Sequence, residues 1–319
     1  MSSVLIRVVG VLLMLTALAL SLSRAPDRPV ESLVARWAPP PSDFVEVKGQ
    51  VVHLRDEGPR DDPSPIVLLH GTGASSHSWR DLLPLLAQHC FVVAPDLPGH
   101  GFSGTPADRS GFTLPGMARG VSELLRALKL KPQLIAGHSA GAAVAVQLCL
   151  DGLATPQALL GLNAALLPMP GVVGSMFSPM ARTLAVNPLV PRLFAWGAAW
   201  PGTLSRLLEG TGSELDARGR DLYGRQVRSP AHVGAALAMM AGWDLETLAR
   251  RLPELRCPMH LVVGERDRTL PPDLAWQAAQ RIPGCRVTRL AGLGHLAHEE
   301  QPHAVSRLLT DLLEPIPPA

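Results

Sequence analysis

From residue 44 onward, short apolar runs alternate with longer stretches whose apolar residues recur three and four positions apart. Residues 44–47 and 51–54 flank Lys48-Gly49 and predict a β-hairpin. Residues 66–69, 91–94, 133–136 and 158–162 are apolar runs too short for helices, and they predict buried strands feeding turns. Residues 79–86, 117–128 and 139–150 carry the helical period between and after them. At about residue 166 the alternation stops. Up to residue 244 the pattern is helical and apolar, with Met169, Met176, Met180, Met239 and Met240, several prolines and no strand signal. It resumes with strands at 260–263 and 287–290, a helix near 274–281 and a last helix at 304–313.

Strands alternating with helices of this length predict a mainly parallel sheet covered on both faces. The expected architecture is an α/β fold: a mostly parallel eight-stranded sheet flanked by helices, with a helical lid inserted after the sixth strand. The expected segments are an N-terminal stretch with a Pro-rich linker (1–41), the first part of the core (42–165), the lid (166–245) and the second part of the core (246–319). A chain of 319 residues is long enough for such a domain.

The N-terminal stretch changes the picture. Arg7 precedes an uninterrupted apolar run, 8–20, followed by Ser21-Leu22-Ser23. This pattern suits a cleaved export signal or an uncleaved anchor, in which residues 4–22 approach the ~20 apolar residues of a spanning helix if Arg7 snorkels. Arg24, Arg28 and Arg36 outnumber Arg7, which favours a cytoplasmic catalytic domain for the anchored form. The formal net charge is only +2 with both signs intermixed, so no footprint for nucleic acid is expected. Cys90, Cys149, Cys257 and Cys285 form no C-x-x-C pair and have no histidine at zinc-ligand spacing, so neither a metal nor any other cofactor is expected; the bland reading is buried free thiols.

Residues 137–141, Gly137-His138-Ser139-Ala140-Gly141, fit the G-x-S-x-G nucleophile elbow and sit between a predicted strand and a predicted helix. A serine on so sharp a turn is held at strained backbone angles, and the glycines two before and two after leave room for the chain to pass. A serine hydroxyl needs a base to take its proton and a third group to orient that base. His295 follows the last predicted strand, and Asp267 follows the one before it. The order Ser139, Asp267, His295 suits this fold and neither of the other common serine-protease orders. Glu265 is the alternative acid. His298 and His303 are alternative bases, expected on the final helix and solvated. Asn163 cannot supply a charge, and Asp267 can also be read as a cap for a helix near Pro271. The backbone N–H groups of Thr72 and Ala140 are the candidate oxyanion donors. His70 and His100 are expected to brace their loops.

His70-Gly71-Thr72-Gly73, the run from Asp96 to Gly101 (DLPGHG) and the elbow together resemble the α/β-hydrolase superfamily, from about Phe44 to the C-terminus. A narrower resemblance is to the magnesium-chelatase accessory proteins of bacteriochlorophyll synthesis. It rests on HGTGASSHSW at 70–79, GHSAGAA at 137–143, NPLVPRLFAW at 187–196, GTGSELDARG at 210–219 and ALAMMAGWDL at 236–245. The apolar N-terminal stretch departs from that family. Two functions follow as expectations. One is a serine hydrolase acting on an apolar ester, lactone or thioester. The other, implied by the narrower resemblance, is an accessory protein holding a porphyrin-like ligand beside magnesium-chelatase subunits. In either case membrane contact is expected through the N-terminal segment.

Overall fold

The computed structural model describes residues 8–16, 34, 38–62, 65–169, 187 and 189–313. Its eight strands are β1 (Ser42–Val47), β2 (Gln50–Glu57), β3 (Ile66–Leu69), β4 (Val92–Pro95), β5 (Leu134–His138), β6 (Ala158–Leu162), β7 (Met259–Gly264) and β8 (Arg286–Leu290). The helices are α1 (Leu83–Leu86), α2 (Leu114–Ala127), α3 (Ala140–Leu150), α4 (Leu189–Gly197), α5 (Thr203–Glu209), α6 (Ala217–Val227), α7 (Pro230–Gly242), α8 (Leu245–Arg251), α9 (Asp273–Ala279), α10 (Ala297–Glu300) and α11 (Pro302–Leu313). The strands form one sheet in the order β1-β2-β4-β3-β5-β6-β7-β8. β2 runs antiparallel to β1 and β4, and the pairs from β4 to β8 are parallel.

The alternation of side chains along each strand builds two cores. Val67 and Leu69, with Ile135, Leu159 and Leu261, face α2, α3, α8 and α9. Ile66 and Leu68, with Leu134, Ala136, Leu160 and Val262, face Trp79, α1 and Val305 and Leu309 of α11. A strand packed on both faces has no solvent side, which is why these strands read as continuous apolar runs. Lys48 (φ 52°) and Gly49 (φ 78°) turn the predicted hairpin. The helix expected over 79–86 is instead a 3-10 turn, Ser76–Trp79, followed by the short α1. Pro84 has no N–H to give a preceding turn and is seated in the first turn of α1.

Because β3 has β4 on one side and β5 on the other, the crossovers leave it in opposite directions, and the carboxyl ends of β3 and β5 border a crevice. Five helices, α4 to α8, lie between β6 and β7, and no strand interrupts them among the described residues. Residues 8–16 are helical; the rest of the stretch expected to anchor or export the chain lies outside the described residues. No helix among the described residues is long and apolar enough to cross a membrane.

Candidate active site

Four loops meet at the carboxyl edge of the sheet, three of them beginning as prolongations of their strands. The Ser139 N–H donates to Leu162 O (2.8 Å) of β6, the Asn163 N–H to Val262 O (2.8 Å) of β7, and the Glu265 N–H to Leu290 O (3.0 Å) of β8. The ladder therefore fixes the height at which Ser139, Asn163 and Asp267 leave the sheet.

Ser139 sits at φ 49°, ψ −113°, immediately before α3. For a residue with a Cβ this conformation costs on the order of 1–3 kcal/mol, and the surroundings impose it. A side chain at Gly141 would collide with the carbonyl oxygens of Leu69 and His70, and one at Gly137 with Ala142. A Cβ at Gly71 would come within 3.2 Å of the Ser139 Cβ, so the loop after β3 lies directly on the elbow. The Thr72 and Ala140 N–H groups have no acceptor among the described residues; for Ala140, in the first turn of α3, this is the rule for a helix start. They remain available to an oxyanion.

His295 is 5% exposed and Asp267 6%. His295 Nδ1 lies 2.7 Å from Asp267 Oδ2, which leaves Nε2 for a proton acceptor's role. Asp267 divides its carboxylate. Oδ1 accepts the N–H groups of Thr269 (2.8 Å) and Leu270 (2.9 Å), a local turn ahead of α9, while Oδ2 takes the imidazole. Among the described residues the Ser139 hydroxyl makes no hydrogen bond, to the imidazole or to any other group, whereas the His295–Asp267 contact is already formed. Glu265 is exposed, accepts the Gly292 N–H and pairs with Arg289 at the sheet edge, away from His295.

Asn163, unable to serve as the charged acid, has a different part. Its Nδ2 donates to Asp267 Oδ2 at 2.8 Å and points at Gly294 O at 3.4 Å, so it ties the acid to the loop of the base. Its φ of 46° is one that asparagine tolerates better than most residues. The sequence carries that signal, an Asn directly after a strand, without saying what it would touch. Nothing local announces the second set. The His295 N–H donates to Thr211 O (3.0 Å), the Leu296 N–H to Ser213 Oγ (2.8 Å) and the Gly294 N–H to Glu300 Oε2 (2.8 Å). Ser213 Oγ in turn donates to Glu300 Oε2 (2.8 Å). A strap between α5 and α6 and one carboxylate thus hold three successive N–H groups around the imidazole.

Histidines fill the ground behind these loops. His70 Nε2 accepts the Leu97 N–H (2.9 Å) and its Nδ1 lies 2.8 Å from Gly71 O, linking the loops after β3 and β4. The His100 ring lies between those of His70 (5.4 Å) and His232 of α7 (5.2 Å). Met239, also of α7, receives the Thr72 hydroxyl at 3.6 Å. Burial lowers the pKa of His70 and His100, and that of His232 to about 4, so all three stay neutral. His298, expected in solvent, is 1% exposed. It belongs to the short α10 rather than the final helix, where it packs against Trp79 (4.5 Å) and His138 (4.4 Å), and burial lowers its pKa to about 3. His303 is exposed on α11. Beside them, buried Glu299 pairs with Arg80 and accepts the Tyr223 hydroxyl at 2.7 Å.

Comparison with known proteins places the chain by family and fold. Over 260 residues the chain is 41% identical to the magnesium-chelatase 30 kDa subunit of Rhodobacter capsulatus, spanning 81% of this chain and 89% of that one. An alpha/beta hydrolase fold protein from Burkholderia ambifaria superposes with a TM-score of 0.69 at 25% identity, over 84% of this chain and 97% of that one. The enol-lactonase from Burkholderia xenovorans LB400 does so with a TM-score of 0.67 at 22% identity, over 85% and 99%. Residues 66–308 match the model of the alpha/beta hydrolase family, and the chain belongs to that family.

Proposed function

We propose that the chain is a serine hydrolase that cleaves an ester, lactone or thioester of an apolar substrate through an acyl-Ser139 intermediate. The observation that carries this reading is the chain of hydrogen bonds Asn163–Asp267–His295 beside a serine held at φ 49°. Ser139 Oγ attacks the carbonyl carbon as its proton passes to His295 Nε2, and the oxyanion accepts the N–H groups of Thr72 and Ala140. The intermediate collapses when the imidazolium returns that proton to the leaving oxygen or sulfur. Water then attacks the acyl carbon by the same route, giving its proton to His295 and freeing Ser139. Asp267 holds the imidazole through Nδ1, leaving Nε2 for the serine. In this reading α4 to α7 belong to the lid, and Met239 against Thr72 supplies an apolar wall to the cleft. The N-terminal segment holds the enzyme at a membrane, with the catalytic domain on the cytoplasmic side.

Labelling with a fluorophosphonate tests the reading. The native chain is expected to be labelled at Ser139, and Ser139→Ala to be unlabelled with the same circular dichroism. A folded native chain that takes no label overturns it.

A second reading is favoured by the relative from Rhodobacter capsulatus: an accessory protein that holds a porphyrin for magnesium insertion in bacteriochlorophyll synthesis, with little or no turnover. The two readings part in a magnesium-chelatase assay supplemented with this chain. Stimulation that survives Ser139→Ala unchanged belongs to the accessory reading.

A further inference from the structure

The large apolar side chains left in solvent are not scattered. Among the described residues, apart from Val51 and Trp276, they fall in two places, residues 8–15 and the pair α4–α5. On α4 and the turn after it the usual amphipathic order is inverted, whereas α5 buries Leu208 in the ordinary way. The inward positions Ala195 (3% exposed) and Ala198 (1%) are small, whereas Leu193, Phe194, Trp196 (48%) and Trp200 (60%) face out, with Leu207 of α5 beside them in the sequence of the same hairpin. The rings of Trp196 and Trp200 meet edge to face at 5.4 Å. A helix whose bulk faces water and whose small residues face the protein is built for a second apolar medium.

We propose that the outer face of α4–α5 docks on the surface of an anionic lipid bilayer. Two further features identify the occupant as lipid. The first is the helix over 8–16, which contains no charged residue and leaves Leu12, Leu13, Met14 and Leu15 exposed, so this chain already carries a segment that requires an apolar medium. Twenty-one residues, 17–37, separate it from Ala38, and a chain of that length reaches up to about 70 Å, enough for both to meet one bilayer. The second is composition. Tryptophans whose rings are apolar and whose N–H seeks water favour the headgroup level, and exposed Arg192 and Arg206 flank the face against a single acid, Glu209. Such arginines are drawn to an anionic surface within a Debye length of it. α4 packs on α7, which carries Met239 to Thr72 and His232 to Gly101 of the loop after β4. Docking therefore sets the helices above the candidate site at the bilayer. The inference does not depend on the hydrolase reading, and Ser139→Ala is expected to dock like the native chain.

The test uses the full chain with phosphatidylcholine–phosphatidylglycerol vesicles carrying brominated acyl chains. Trp37→Phe/Trp276→Phe keeps the reporters Trp196 and Trp200, and its fluorescence is expected to fall about twofold or more. Trp196→Phe/Trp200→Phe is expected to lose most of that quenching while still sedimenting with the vesicles through its N-terminal segment. Arg192→Gln/Arg206→Gln is expected to reduce the quenching on anionic vesicles only. Circular dichroism checks each fold; should the tryptophan pair fail to fold, acrylamide quenching of the native chain with and without vesicles reads the same shielding. Equal bromolipid quenching with and without Trp196 and Trp200, or unaltered acrylamide quenching on vesicle-bound protein, overturns the proposal. So does shielding of this pair without lipid in a chain that sediments as a dimer, which assigns the face to a second copy.

Discussion

The two halves of the site are held in different ways. Ser139 is fixed by its immediate neighbours: two glycines, the start of α3 and the edge of β6 leave one conformation for the turn. His295 is fixed by residues far away in sequence, with Thr211 and Ser213 from the helical insertion, Asn163 from β6 and Glu300 from α10 gripping its loop. A serine set by sterics is rigid wherever the elbow folds. An imidazole set by hydrogen bonds across elements is rigid only while those elements stay docked, so the insertion is part of its support.

The contrast breaks first at the elbow. Gly141→Val places a side chain against the carbonyl oxygens of Leu69 and His70, backbone atoms that cannot move without parting α3 from β3. We expect a loss of several kcal/mol, at least the ~3 kcal/mol typical of severe overpacking, with Gly141→Ala milder in degree and alike in kind. Urea unfolding measures it. An elbow that accepts valine at full stability would refute the steric account of Ser139.

On the other side the expected damage is to rate more than to stability. Glu300→Ala removes the acceptor of the Gly294 and Glu214 N–H groups and of the Ser213 hydroxyl. Loss of hydrogen bonds to a charged group costs about 1.5–3 kcal/mol, so fluorophosphonate labelling of Ser139 should slow about 100-fold at the upper end. Glu300→Gln, which still offers one acceptor oxygen, should recover part of it. If both variants label like the native chain, the strap has no hold on the base.

A smaller effect isolates the third partner. Asn163→Gly keeps a backbone at φ 46° that alanine would resist, and removes only the side chain that reaches Asp267 and Gly294. We expect labelling to slow about tenfold, near the lower end of the same range, with little change in unfolding free energy. A purely structural role would reverse that pattern.

The same contrast decides how much was legible in the sequence. The sheet, its two-sided burial and the helical insertion follow from period and run length, and strand ends moved by at most three residues, the most at the end of β2. Ser139 announces itself because the two glycines that its turn requires lie within five residues, although the carbonyls they make room for come from β3 and its loop. Asp267 and His295 are visible by their position after strands, though the pairing of their side chains is not. Thr211, Ser213 and Glu300 carry no local mark, since a threonine carbonyl becomes a ligand of His295 only once α5 and α6 are in place. His298 misleads for the same reason: on a polar stretch, H-E-E-Q, it reads as solvated, yet Trp79 and His138 close over it from elsewhere in the chain.

The pH dependence of stability sharpens the comparison with the smallest signal. His232 on the oxyanion side and His298 on the base side are held neutral, with pKa values lowered by burial to about 4 and about 3. Below pH ~6.5 the unfolded chain takes up protons that these imidazoles refuse, so their stabilisation, complete above that pH, is lost as pH falls toward 4, by up to ~1.4 kcal/mol per pH unit for each group. Glu299 has the opposite sign. Burial raises its pKa to about 7 in spite of Arg80 and Tyr223, so its contribution is complete below pH ~4.3 and is lost as pH rises to 7. Between pH 4.5 and 6.5 the two trends oppose each other, two histidines against one carboxyl, so the native chain should still gain stability with pH, at about half the slope of the histidines alone over most of that window. Glu299→Gln retains a side chain able to meet the Tyr223 hydroxyl and removes the opposing titration, so its stability should climb more steeply with pH across that window than that of the native chain. Urea unfolding at half-unit pH steps separates the curves. Parallel curves would mean that Glu299 is ionised in the folded chain throughout, and that the Arg80 pairing outweighs burial on the base side of the site.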